Sequence, residues 1–307
     1  QKKKEMRKNK SVISVDKLTL CYKATGELVD RLNEYNELID GDDCFRLVRV
    51  PSDEALFANC FHVMIKFSFG NAGGIVEKKL ATLKTKLRSM DDSKVNYVWL
   101  YLENWVFYEV FGVYDGSKCN WLSSVDYIVD ELGLRFNNIT DLHISLDTNI
   151  NFAKRIKHAQ FSDDYKVILN GTLRSNKKEI LGEILHIQTG DQCRLRTLTI
   201  YVNPKKQDGL SLKIYDKKKE LEKSHKSYIP KWHGLKDKNY RVELTVKNEH
   251  LKEFYQWKNE TFPNELLMAT LASQSQSQDL LFDMLYYFSN RLLRFSYNGK
   301  GISIFQL

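Results

Sequence analysis

Tyr240-Arg-Val-Glu-Leu-Thr-Val-Lys247 alternates polar and apolar side chains along its length. Successive side chains on a β-strand point to opposite faces. Val242, Leu244 and Val246 therefore make one face, and Arg241, Glu243, Thr245 and Lys247 the other. Gly209-Leu-Ser-Leu-Lys-Ile-Tyr-Asp216 divides the same way, with Leu210, Leu212 and Ile214 opposing Ser211, Lys213 and Tyr215. In Asp141-Leu-His-Ile-Ser-Leu-Asp147 the apolar face is Leu142, Ile144 and Leu146, and the polar face Asp141, His143, Ser145 and Asp147. Half-buried strands are usual in antiparallel sheets. Placed in one sheet, these three would gather His143, Asp147, Tyr215, Arg241 and Glu243 on a single wet face. Two carboxylates about 4 Å apart repel by roughly 1 kcal/mol in water and about 4 kcal/mol at an effective dielectric of about 20, so such a cluster requires a cation. Carboxylates with an imidazole suit Mg²⁺ or Mn²⁺, with positions left open for phosphate oxygens. The alternative is three unrelated rows of solvent-facing polar residues, and alternation alone supports both equally.

Outward from these segments, the chain before them is strand-like over 12–22, 45–50, 61–69, 74–88 and 96–108, with a turn at Asn71-Ala-Gly-Gly74. Ser123 or Ser124 starts, and Gly133 stops, a short helix. Another helix is expected over 151–160, and further strands near 165–169, 183–188 and 197–203. The stretch 264–295 has helical spacing, broken by Ser273-Gln-Ser-Gln-Ser-Gln278, which reads as a hydrophilic joint. The class is α+β: an antiparallel sheet with flanking helices and a β-rich N-terminal part. The expected division is a basic tail at 1–10, a β-rich region at 11–135, the sheet region at 136–255 and a C-terminal helical region at 256–307.

With 307 residues, 12% aromatic side chains and only 4 Pro, the chain can bury a substantial core, which excludes a disordered linker. Its 5 cysteines are scattered and never spaced as C-x-x-C, which argues against a zinc ribbon or disulfide scaffold. No long uncharged apolar run and no secretory pattern is visible, so the expectation is a cytoplasmic protein without a membrane partner. The net charge of +8 is concentrated in two places. Lys2, Lys3, Lys4, Arg7, Lys8 and Lys10 stand against Glu5 alone. Lys217, Lys218, Lys219, Lys223, Lys226, Lys231, Lys236 and Lys238 stand against Glu220, Glu222 and Asp237. Two basic segments on a nearly neutral body suit phosphate binding. A solubilising tail and a solvated loop are the plainer reading of the same charges.

Several segments together resemble a family. Asn138-Ile-Thr-Asp-Leu-His-Ile-Ser-Leu-Asp-Thr-Asn149, Thr197-Leu-Thr-Ile-Tyr201, Leu212-Lys-Ile-Tyr-Asp-Lys-Lys218 and Tyr240 to Lys247 follow in the order seen in rolling-circle replication initiators of the Rep_trans type. Ser14-Val-Asp-Lys-Leu-Thr-Leu-Cys-Tyr22 resembles their first strand. The resemblance spans most of residues 11–255 and rests on the order of short motifs. It implies that 136–255 is a nicking region related to HUH-type initiators and relaxases. The family's tyrosine falls on Tyr215 and its Arg-x-Glu on Arg241 and Glu243. Its Asp-x-x-x-Asp strand falls on His143 and Asp147, with His143 departing from the pattern. The resemblance further implies origin DNA as partner, as a hairpin or single strand, with a host helicase and a homodimer as additional expected partners.

A tyrosine nucleophile conserves phosphodiester energy in a covalent protein–DNA bond, so the nick can be resealed. An unperturbed phenol has a pKa of about 10 and requires activation near neutral pH. The expected metal ligands are Asp147, Glu243 and His143 for Mg²⁺ or Mn²⁺, with Lys217 and Arg241 on the phosphate or the phenol. Tyr201 shares the face parity of Tyr215 and is the runner-up nucleophile. Lys213, Lys218, Lys219, Lys223, Lys226, Lys231 and Trp232, with His233, are the expected DNA contacts by charge and stacking. The competing readings are a relaxase, a non-catalytic single-strand binder and a hydrolytic metallonuclease.

Overall fold

The computed structural model describes residues 11–34, 37–40, 44–52, 54–69, 74–88, 91, 94–108, 111–112, 118–119, 121–174, 182–189, 192–203, 209–224 and 238–307. The basic tail, most of the Asn71–Gly74 turn, and Lys226, Lys231, Trp232 and His233 lie outside the described residues, as does the side chain of Lys223. The class is mixed α+β with antiparallel pairing, as expected. The described residues divide into two compact units, one within 16–142 and 263–274, the other within 11–15, 143–262 and 275–307. The expected C-terminal region 256–307 is thus shared between the two units.

In the first unit, β1 (Ser11–Ala24), β2 (Glu37–Asp40), β3 (Phe45–Val50), β4 (Asn59–Phe69), β5 (Gly74–Thr85) and β6 (Asn96–Leu102) lie in the order β1-β6-β5-β4-β3-β2. All the pairs are antiparallel. Leu20, Leu47, Phe61, Val63, Leu83 and Val98 are buried from successive strands, the alternation that the sequence carries. Short strands β7 (Phe111–Gly112) and β8 (Lys118–Cys119) pair with each other. Helix α1 (Gly26–Glu34) was not expected; it buries Leu28, Val29 and Leu32, and the Thr25 hydroxyl oxygen accepts from Leu28 N at 3.2 Å. Helix α2 (Trp121–Glu131) stops where predicted, with Gly133 left-handed at φ 62°.

In the second unit, β9 (Arg135–Thr148) contributes its half from His143 onward. The sheet order is β12 (Gly182–Thr189), β13 (Gln192–Val202), β14 (Leu210–Asp216), β15 (Tyr240–Lys247), β9 and β1. Ile144, Leu146, Val242, Leu244, Val246, Leu210, Leu212 and Ile214 are all buried, so the apolar faces read from the sequence are one side of one sheet. Helix α3 (Phe152–Phe161) packs on β13 and β14 and is capped by Asn151, whose side-chain oxygen accepts from Lys154 N at 2.9 Å. A smaller antiparallel sheet joins β10 (Tyr165–Leu169), β11 (Thr172–Arg174), β16 (Leu293–Tyr297) and β17 (Lys300–Ser303).

Helix α4 (Lys217–Ser224) follows β14 directly, and α5 (Asn248–Trp257) follows β15 directly. Of the C-terminal helices, α6 (Asn264–Ala272) belongs to the first unit and α7 (Gln274–Leu292) to the second from residue 275. The expected joint at 273–278 shrinks to Ser273, and the Ser-Gln run forms the first turns of α7. Leu281, Met284, Leu285, Phe288 and Leu292 recur at helical spacing and are buried, which holds the whole segment in register. Residues 293–295, read as helix, begin β16 instead; Leu293 and Phe295 are buried while Arg294 between them is exposed, the period of a strand.

Candidate functional site

β14 and β15 pair so that Tyr215 faces Arg241, Lys213 faces Glu243 and Ser211 faces Thr245. Because β15 is also hydrogen-bonded to β9, the polar faces of all three segments meet. The Tyr215 hydroxyl donates to Glu243 Oε2 at 2.9 Å. Lys217 Nζ lies 3.5 Å from the same hydroxyl oxygen, and its ammonium also pairs with Glu220. On the other side of the carboxylate, Glu243 Oε1 is 3.4 Å from His143 Nδ1, and His143 Nε2 is 3.5 Å from the Thr245 hydroxyl. A neutral imidazole meets both contacts, with Nδ1–H donating to Glu243 and Nε2 accepting from Thr245. Lys213 Nζ stands 4.3 Å from the centroid of the Tyr215 ring and 5.6 Å from that of Tyr201.

Asp147 and Arg241 form a separate pair. Arg241 Nε donates to Asp147 Oδ1 at 2.8 Å and Nη2 to Oδ2 at 2.6 Å, the two-pronged geometry that guanidinium and carboxylate share. Both side chains have 0% exposure. Beside them the Ser14 and Ser145 hydroxyls are 3.1 Å apart, and Ser11 donates to Thr148 at 2.8 Å.

Two expectations change with this geometry. The polar face is not wet: His143, Asp147, Arg241, Thr245 and Lys217 are buried, and Tyr215 is only 6% exposed. Polar groups survive there because each finds a partner on the same face. The three expected metal ligands also do not converge. His143 and Glu243 meet, but both oxygens of Asp147 are held by Arg241, so Arg241 neutralises a carboxylate instead of facing a phosphate. Both nitrogens of His143 and both oxygens of Glu243 already have protein partners. Among the described residues no group of three His, Cys, Asp or Glu side chains is arranged to hold a metal ion. The donors as arranged therefore do not fit the divalent ion that the resemblance implies.

The basic run after Tyr215 is the first turn of α4, where Lys217, Lys218 and Lys219 stand together with Glu220. The Asp216 carboxylate accepts from Lys219 N at 3.3 Å and caps the helix. Lys218 is exposed, Lys219 half-buried. Thr245 and Glu220 are the participants that the sequence reading did not single out; the face parity of Thr245 was the available signal for the first.

No protein-family model matches the chain, and no curated protein matches it. Among solved structures, the rolling circle replication initiator protein from Geobacillus stearothermophilus is similar at 13% identity and a TM-score of 0.44, covering 80% of this chain and 78% of that one. Among the described residues no helix is long and apolar enough to cross a membrane.

Proposed function

We propose that the protein is a DNA nicking–closing enzyme in which Tyr215 is the nucleophile, acting as the initiator of rolling-circle replication. The observation that carries the reading is the hydrogen bond from the Tyr215 hydroxyl to Glu243, with Lys217 Nζ on the same oxygen. Tyr201, with matching face parity, has a lysine over its ring but no carboxylate partner among the described residues. In this reading Glu243 takes the phenolic proton and Lys217 stabilises the phenolate. The phenolate oxygen then attacks phosphorus, the bond from phosphorus to the 3′ oxygen breaks, and that oxygen leaves as a hydroxyl after taking a proton. The products are a 5′-phosphotyrosine and a free 3′ end for a polymerase.

The first turn of α4 supports the same reading. Cations at a helix N-terminus oppose the macrodipole, typically by about 0.3–1 kcal/mol each. Lys217, Lys218 and Lys219 all sit there, one residue beyond Tyr215, and a phosphate delivered to the tyrosine would offset that opposition. With Tyr215 only 6% exposed, strand entry has to displace neighbouring chain.

The test uses end-labelled single-stranded DNA carrying the origin sequence, with Mg²⁺ or Mn²⁺ supplied because the family resemblance implies a divalent ion. Wild-type protein should give a denaturation-resistant protein–DNA band, and Tyr215→Phe none. Cutting without a covalent band in Tyr215→Phe would make the protein a hydrolytic nuclease, and a covalent band that survives there would move the nucleophile to another tyrosine such as Tyr201. Salt-sensitive binding with no adduct from wild type would make it a non-catalytic binder.

A further inference from the structure

The geometry points to a second nucleic-acid contact in the second unit: a pocket at α5 and α7 that takes a base of a single strand with its neighbouring phosphate. The cavity holds about 810 Å³, within the range of roughly 300–1,000 Å³ typical of ligand sites. Its lining combines Trp257 and Tyr287, the cations Arg291 and Arg294, and the amides of Asn170 and Asn203. No Asp or Glu is among its described lining residues.

Each feature answers one part of a nucleotide. Trp257 is 58% exposed, an unusual state for an indole, and its ring lies on Tyr287 with centroids 4.4 Å apart and planes at 32°. The pair is a preformed aromatic platform on which a base can stack. Asn170 Nδ2 donates to Asn203 Oδ1 at 3.1 Å. This leaves the Asn170 carbonyl oxygen as an acceptor and the Asn203 amide as a donor, a pattern that matches a base edge. Arg291 is tied to Glu253, which also accepts from the Tyr287 hydroxyl at 3.4 Å and lies 2.9 Å from His250 Nδ1. Arg294 is exposed and has no ion-pair partner among the described residues, so its charge is available to a phosphate.

The site is distinct from the nucleophile. Leu210, another lining residue, is on the apolar face of β14, opposite to the face of Tyr215. The inference goes beyond the nicking reading and uses none of its chemistry, so it is tested in Tyr215→Phe protein, where transesterification is removed.

Fluorescence anisotropy with a labelled single-stranded oligonucleotide of mixed sequence measures binding in this background. Trp257→Ala should weaken binding roughly tenfold, the scale of one lost stacking contact, while Trp257→Phe keeps most of the affinity. Arg294→Gln should flatten the dependence of log affinity on log salt by about 0.7. A strand substituted with 5-iodouracil should photocross-link to Trp257 or Tyr287. Unchanged affinity in the Trp257→Ala and Arg294→Gln variants, with cross-links mapping elsewhere, overturns the proposal. So does a mononucleotide that binds as tightly as the strand, because the pocket would then serve a free nucleotide. If Trp257→Ala fails to fold, Arg294→Gln and the cross-link decide.

Discussion

At the scale of single residues, the Asp147–Arg241 pair governs what the site can tolerate. Both side chains are fully buried and joined by two hydrogen bonds. Removing one partner of such a pair leaves an uncompensated buried charge, at a cost of about 3–5 kcal/mol. Asp147→Ala should therefore lower the unfolding free energy by that amount in urea denaturation. Replacing both residues by apolar side chains of similar volume should lower it much less. A loss below about 1 kcal/mol in Asp147→Ala would mean that water or another group reaches Arg241. Strand parity, a local property, separates the polar from the apolar side chains within each strand; that the polar faces carrying Asp147, His143, Tyr215, Arg241 and Glu243 meet follows from the pairing of β15 with β14 and β9, which alternation alone does not give. Nor does alternation tell which carboxylate meets which cation. That choice depends on cross-strand register: Tyr215 opposite Arg241 and Lys213 opposite Glu243. Tyr215 reaches Glu243 on the diagonal, two residues along β15 from its register partner Arg241, whose guanidinium pairs with Asp147 on β9.

Among the elements, α5 shows how burial sets a pH limit. Tyr255 packs against Phe254 and Phe262, with centroids 5.5 and 5.6 Å away. Burial first, and then the Glu260 carboxylate, push its phenol up from the ordinary 10.0 to about 12. A raised phenol favours the folded state through its neutral form. The contribution is complete below the unfolded value of 10.0 and is lost as pH climbs toward about 12. Wild type should lose stability relative to Tyr255→Phe across that window, while the difference between the two stays constant at lower pH. Thermal unfolding of both proteins along the pH series measures it, and parallel curves throughout would show that the hydroxyl reaches water. The same helix carries apolar residues at helical spacing, Leu251, Phe254 and Tyr255, but its start is hard to mark in the sequence. Lys247 ends β15 and is the N-cap of α5, with no turn residue between strand and helix to mark the change. Helix α4 has one described buried apolar residue, Leu221, and a helix with so little apolar stripe leaves hardly any pattern to read. Strands β4 and β14 were read nearly to their ends, whereas β9, 14 residues long, was read only over its second half.

For the whole molecule, charge is the property that no local contact replaces. The net charge is +8, and the segments 1–10 and 217–239 account for more than all of it, since the rest of the chain is slightly acidic. If these segments meet phosphates, each contact made with a single strand contributes about 0.7 to the slope of log affinity against log salt. Deleting residues 1–10 removes six cations, Lys2, Lys3, Lys4, Arg7, Lys8 and Lys10, with Glu5. The slope should then fall by several times that increment, and affinity should drop most at low salt. Lys218→Gln with Lys219→Gln should produce a smaller fall, and in addition a slower formation of the covalent adduct, because these lysines follow the proposed nucleophile closely in the chain. Titrations of Tyr215→Phe protein with labelled strand at a series of salt concentrations give the slopes, and wild type gives the adduct rate. Equal slopes in full-length and deleted protein would assign the tail to solubility alone. A lysine pair that changes the adduct rate without changing the slope would instead act on the phenol and not on the strand.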